Sequence, residues 1–163
     1  MAAKRSAGIL LFRRTPELQV LLGRIGGPLW ARRTSQNWSI PKGEYLPDEQ
    51  PLAAARREFT EELGLPAPPV ELIDLGSVTQ SGGKQVRIWA AEAEIDLEQV
   101  VLGTFELEWP PRSGRWQSFP ELAEVAWSSL AQAGDRLVKG QLAFLDRLSE
   151  RLSDQAGLSD SGR

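Results

Sequence analysis

Residues 51–65, PLAAARREFTEELGL, restrict the fold more than any other part of this chain. Pro51 suits the first helical turn, and Ala53, Ala54 and Ala55 favour helix. Leu52, Ala55, Phe59 and Leu63 recur at helical spacing and make one narrow apolar stripe. Gly64 fits the left-handed position that ends a helix, and Pro66 prevents its continuation. The spacing therefore predicts a helix over 51–63 that packs by one face. A single apolar stripe needs a partner layer, and the rest of the chain offers short strands to supply it.

Residues 7–13 and 18–24 read as two strands of a hairpin turned near Thr15, Pro16 and Glu17. Residues 25–37 carry Gly26, Gly27 and Pro28 and read as a loop. Trp38 to Ile40 suits a short strand stopped by Pro41. Two more strands are expected at 70–79 and 85–93, turned by Ser81, Gly82 and Gly83. Residues 103–120, rich in Pro and Gly, read as a structured loop. Val125 to Trp127 reads as a last strand. A C-terminal helix is expected over about 139–151, with Leu142, Leu145 and Leu148 facing inward. The whole reads as one α/β domain over residues 1–152, followed by a flexible tail at 153–163.

The chain of 163 residues has no Cys and no His. Disulfides, thiolate catalysis, histidine general bases and Cys-ligated metals are thereby excluded. Any resident metal must be held by oxygen, so magnesium, manganese and calcium lead. With 19 basic and 22 acidic residues, composition makes no case for a nucleic-acid partner. No apolar run approaches the roughly 18 residues of a membrane span. The apolar run Ala7–Phe12 is short for a signal peptide, so a cytoplasmic location is expected.

Glu58, Glu61 and Glu62 stand at i, i+3 and i+4, so their carboxylates share a helix face, with Glu61 farthest from the apolar stripe. Three such charges repel one another, and a divalent cation would reverse that cost. Alone, a run of this kind is an ordinary solvated face. Here it is joined by Gly43, Glu49, Arg57 and Gly64 at set spacings, with apolar Phe59 and Leu65. A chance match is on the order of one in a billion per start position.

These residues match the Nudix box over Gly43–Leu65 without a departure, and the chain resembles the Nudix hydrolases over most of its length. The resemblance implies an α/β/α sandwich with a mixed β-sheet. It also implies magnesium- or manganese-dependent hydrolysis of a nucleoside diphosphate linked to another group. Glu58 and Glu62 then look like principal metal ligands, and Glu61 like a ligand or the water-activating base. The Gly43 carbonyl often joins the metal shell in the family. Glu49 and Arg57 look like a structural salt bridge. Family members often add one carboxylate from outside the box, for which Glu106, Glu108, Glu121 and Glu124 are all candidates. Glu106 and Glu108 alternate, so they would share one side of an extended segment.

Cations are expected in loops around the acidic helix: Arg32, Arg33, Lys42, Lys84, Arg87, Arg112 and Arg115. Trp38, Pro41, Lys42 and Gly43 form a W-x-x-P-K-G run. It resembles the entry to the box in Nudix enzymes acting on dinucleoside polyphosphates and diphosphoinositol phosphates. Lys42, Arg112 and Arg115 are candidates for substrate phosphates. Trp30, Trp109, Trp116 and Tyr45 are candidates for stacking on a base. The expected substrate is a small-molecule nucleotide, either a dinucleoside polyphosphate or a nucleoside triphosphate. The alternatives are a diphosphoinositol polyphosphate phosphohydrolase and a non-catalytic nucleotide-binding regulator. Many Nudix proteins are dimers, so a homodimer stays open.

Overall fold

In a computed structural model, which describes residues 4–160 with side chains as far as Ala156, a mixed sheet lies between two helical layers. Strand β1 (Arg5–Arg13) is buried along almost its whole length. Such a run suits a central strand covered on both faces. It pairs antiparallel with β2 (Gln19–Ile25) and with β4 (Lys42–Tyr45), and parallel with β6 (Gln85–Glu92). The sheet continues through β3 (Trp38–Ser39) on one side and β5 (Leu72–Thr79) on the other. Strand β9 (Leu122–Ser129) adds antiparallel to β2.

Alternation along β1 sends successive side chains to opposite layers. Ala7, Ile9 and Leu11 meet Ala54, Ala55, Phe59 and Leu63 of helix α1 (Pro51–Leu63). Leu10 and Phe12 meet Ala133 of helix α2 (Leu130–Arg136) and Phe144, Leu145 and Leu148 of helix α3 (Ala143–Asp160). This is the expected α/β/α sandwich. Helix α1 has the bounds read from sequence, and Gly64 closes it at φ 72°.

Five features differ from the sequence expectations, the first being strand β4, which lies where no strand was expected. Residues 103–120 are not a loop: β7 (Thr104–Glu108) and β8 (Trp116–Pro120) form an antiparallel hairpin beside the main sheet. The last strand runs over Leu122–Ser129, well beyond 125–127. Helix α2 was not expected, although Ser129 and Gln132 close a capping box at its start. Helix α3 starts later than 139 and continues to Asp160, past the point where the tail was expected to begin. The end of that expected tail, 161–163, lies outside the described residues.

Candidate active site

Gly43 shows how tightly the site is built. A Cβ placed there would sit 2.0 Å from the Glu58 carboxyl carbon. Only a residue without a side chain lets β4 pass this close to the helix. The neighbouring amide of Lys42 donates to Glu62 Oε2 at 3.1 Å, so β4 and α1 are joined through the acidic residues themselves. Glu58 and Glu62 are 8% and 7% exposed, and they belong to the helix face that packs against the sheet.

The third carboxylate comes from the end of the β7–β8 hairpin. Glu121 is held by its backbone on two sides. Its carbonyl accepts from the Gly26 amide at 3.0 Å, and its amide donates to the Gly103 carbonyl at 2.9 Å. Gly103 in turn donates to the Glu62 carbonyl at 3.1 Å. The chain after β6 thus satisfies an orphan carbonyl at the end of α1 and fixes Glu121 beside it. Oxygens of Glu58, Glu62 and Glu121 lie within 4.8 Å of one another.

Burial dominates the electrostatics of this cluster. It pushes the Glu62 carboxyl up to about 8; Glu121 and Glu58 add to the rise, while Lys42 opposes it. Glu58 and Glu121 are also raised, first by burial and then by neighbouring glutamates. In Glu58 the Arg57 hydrogen bond works against the rise. Three carboxylates held this close, with raised pKa values, are an oxygen site short of positive charge. That chemistry fits a divalent cation.

Arg57 organises the rim. Its Nε and Nη2 donate to the two Glu49 oxygens, each at 2.8 Å, which is the salt bridge expected from sequence. Its Nη1 reaches Glu58 at 2.8 Å and both Glu61 oxygens at 3.1 and 3.2 Å. Glu61 therefore stands outside the three-carboxylate group, more exposed, on the wall of the same cavity. That cavity is about 630 Å³. Glu44, Glu58, Glu61, Glu62 and Glu121 line its acidic side, facing an apolar wall of Ile25, Pro28, Leu29, Trp30, Phe105 and Leu107.

The remaining sequence candidates separate cleanly. On β7, Phe105 and Leu107 face the cavity, so Glu106 shares the opposite side with Glu108. Those two glutamates are on one side of an extended segment, as expected, but not on the side of the cluster. Glu124 is spent on a cross-strand ion pair with Arg24 at 2.9 Å. Arg112 and Arg115 sit in the turn of the β7–β8 hairpin and are not among the residues lining the acidic cavity. Lys42 points to the other side of β4, into a second cavity. There burial lowers its pKa, with Lys84 adding to the effect. Of the proposed stacking residues, Trp30 lines the site, whereas Trp116 is an exposed hairpin residue. Phe105 and Leu107 were missed; their alternation with the two glutamates in TFELEW was the available signal.

A model of the NUDIX domain matches residues 2–148. The chain belongs to the Nudix family. Among curated relatives it is similar to RNA pyrophosphohydrolases. It is 44% identical to that of Pseudomonas putida over 55 residues, which are 33% of this chain and 35% of that protein. The one from Marinomonas is 46% identical over 55 residues, 34% of its length. The chain thus spans about a third of these relatives. Among solved structures, the binary complex of a C. elegans Ap4A hydrolase covers 91% of this chain and 98% of its own. Its TM-score is 0.66 at 20% identity. The NUDIX domain of Shewanella oneidensis NrtR, complexed with ADP ribose, gives 0.64 at 18%, covering 93% and 90%. At such identities the likeness is one of fold. Among the described residues no helix is long and apolar enough to cross a membrane.

Proposed function

We propose that this Nudix protein is a magnesium- or manganese-dependent pyrophosphohydrolase that cuts a phosphoanhydride of a nucleoside polyphosphate. The observation that carries the reading is the meeting of Glu58, Glu62 and Glu121 within 4.8 Å, beside an apolar wall. The carboxylates would hold the divalent ion, and Trp30, Phe105 and Leu107 would take the nucleoside. When bound, such an ion neutralises anhydride oxygens and lowers the pKa of a water.

The reaction is a hydrolysis. The water oxygen forms a bond to phosphorus, and the bridging P–O bond breaks with its electron pair on the leaving phosphate. Glu61 is the candidate for accepting the water's proton, because it lines the cavity yet lies outside the three-carboxylate group. Arg57 positions Glu58 and Glu61 through Nη1, while its Nε and Nη2 hold Glu49.

The test is product analysis by mass spectrometry on the full chain with magnesium, then with manganese. The panel holds nucleoside triphosphates, dinucleoside polyphosphates, nucleotide sugars and dinucleotides. Turnover is expected for the wild type and is expected to vanish in Glu62→Gln. Turnover that survives in Glu62→Gln removes the site from the reaction. Nucleotide binding without turnover in either protein makes this a binding module instead.

A further inference from the structure

Behind β4 lies a second cavity of about 400 Å³ whose charge is opposite to that of the first. Arg33, Lys42, Lys84 and Lys139 line it, and none of its lining residues is acidic. The four cations come from distant places in the chain: the loop after β2, strand β4, the turn before β6 and the short helical turn before α3. Among the described residues only Lys84 of the four has a carboxylate partner, Glu44 at 3.5 Å. Arg33 is braced over the Trp30 ring at 4.9 Å. Gln141 holds the floor, its Oε1 accepting from the Ile40 amide at 2.9 Å and its Nε2 donating to Ser39 Oγ at 3.0 Å. The cavity is therefore built from ordered elements; Glu44 pairs with Lys84, and glutamates near β4 offset part of the Lys42 charge, while Arg33 and Lys139 have no ion-pair partner among the described residues.

Its position gives the charge a meaning. Ile25, Trp30 and Lys84 line both cavities, so the two adjoin. Consecutive residues of β4 serve the two sides: Gly43 the acidic cavity and Lys42 the basic one. At roughly 30 Å³ per water, the volume equals about a dozen waters, enough for several phosphate groups. A lysine is a point charge suited to phosphate, and arginine can bind it through two donors.

We propose that the basic cavity is an anion subsite for the phosphates lying beyond the scissile anhydride. The preferred substrate is then a nucleotide with four or more phosphates in a row, such as a dinucleoside tetraphosphate, rather than a nucleoside diphosphate joined to a neutral group. The inference rests on the proposed hydrolysis at the acidic cluster, and its test is designed to fail separately from that reading.

The probe is inorganic tripolyphosphate, titrated calorimetrically into the full chain in chelator so that no ion bridges it to the glutamates. The comparison protein carries Arg33→Ala and Lys139→Ala; both residues are exposed, and an unchanged melting temperature confirms its fold. Binding to the wild type is expected, with at least a tenfold weaker Kd in the double variant. Glu62→Gln should bind like the wild type. In the kinetic arm, the ratio of KM for diadenosine tetraphosphate to KM for ADP-ribose should rise at least tenfold in the double variant. No tripolyphosphate binding, or equal binding by both proteins, overturns the subsite even if Glu62-dependent turnover stands. Dependence on Arg33 and Lys139 confined to 5′-triphosphorylated RNA, with tripolyphosphate unbound, overturns it in favour of RNA recognition.

Discussion

The acidic and basic cavities meet across a single strand, and they show two ways of collecting charge. On the acidic side one helix supplies Glu58, Glu61 and Glu62 from successive turns of one face, and Glu44 of β4 and Glu121 arrive from elsewhere. On the basic side every cation arrives from a different segment. Local spacing can encode the first arrangement; only the closed fold assembles the second. The consequence for energetics differs too. Buried glutamates at the cluster have raised pKa values and can relieve their repulsion by taking up protons or a metal. Opposite, Arg33 and Lys139 are exposed and screened by solvent, whereas half-buried Lys42 has its pKa lowered by burial and by Lys84.

The largest expected effect separates the cluster from its sequence neighbours. Glu58→Gln or Glu121→Gln should each lower kcat/KM by at least about a hundredfold. A metal's charge stabilisation amounts to several kcal/mol, at about 1.4 kcal/mol per tenfold. Glu106→Gln with Glu108→Gln should stay within about twofold, since surface substitutions away from partners are nearly neutral. Steady-state hydrolysis across a magnesium titration checks both. A large loss in the Glu106/Glu108 variant, with Glu121→Gln intact, would move the extra-box carboxylate to the outer side of β7.

That contrast also shows where the sequence was readable. Helix α1 was legible because its caps, stripe and charges lie within residues 50–65 and obey one period. Strand β4 was not, because four residues after a proline carry no alternation, and its strand identity comes from pairing Gly8 with Lys42 and Ala7 with Gly43. The β7–β8 hairpin was hidden by Pro110, Pro111 and Gly114, which belong to its turn rather than to a long loop. Phe105 and Phe119 face each other across it, their ring centroids 6.1 Å apart. Glu121 could be named only as one of four, because its selection depends on backbone bonds to Gly26 and Gly103. Lys139 was invisible as a site residue for the same reason: nothing local marks it, and Lys42 is its neighbour only in the fold.

A smaller effect is expected at Arg57, which touches three glutamates but is not itself one of the clustered carboxylates. Arg57→Ala should raise the half-saturating magnesium concentration by about 10- to 100-fold, as loss of a partner that orients ligands does. Arg57→Lys should recover little, because an ammonium cannot reproduce two parallel donors to Glu49. If magnesium dependence is unchanged while only melting temperature falls, Arg57 holds the loop and does not orient the site.

The smallest effect is on stability, and its sign is the informative part. Glu62 has an ordinary value of 4.5 in the open chain and about 8 in the metal-free fold. Between those values the folded protein keeps a proton that the unfolded chain has released. The unfolded state binds fewer protons there, so stability falls as pH rises from about 5 to 8. Glu58 and Glu121, also raised, act in the same direction. A divalent ion competes with that proton, so metal affinity should increase with pH and reverse the slope. Thermal unfolding in chelator should therefore give a melting temperature a few degrees lower at pH 8 than at pH 5. Magnesium or manganese should raise it most at pH 8. Glu62→Gln retains an oxygen that can accept the Lys42 amide but carries no charge to expel, so it should flatten the chelator slope and melt above the wild type at pH 8. If wild type and Glu62→Gln show the same slope, the cost of burying charge is not concentrated at Glu62, and the energetic contrast between the two sides loses its basis.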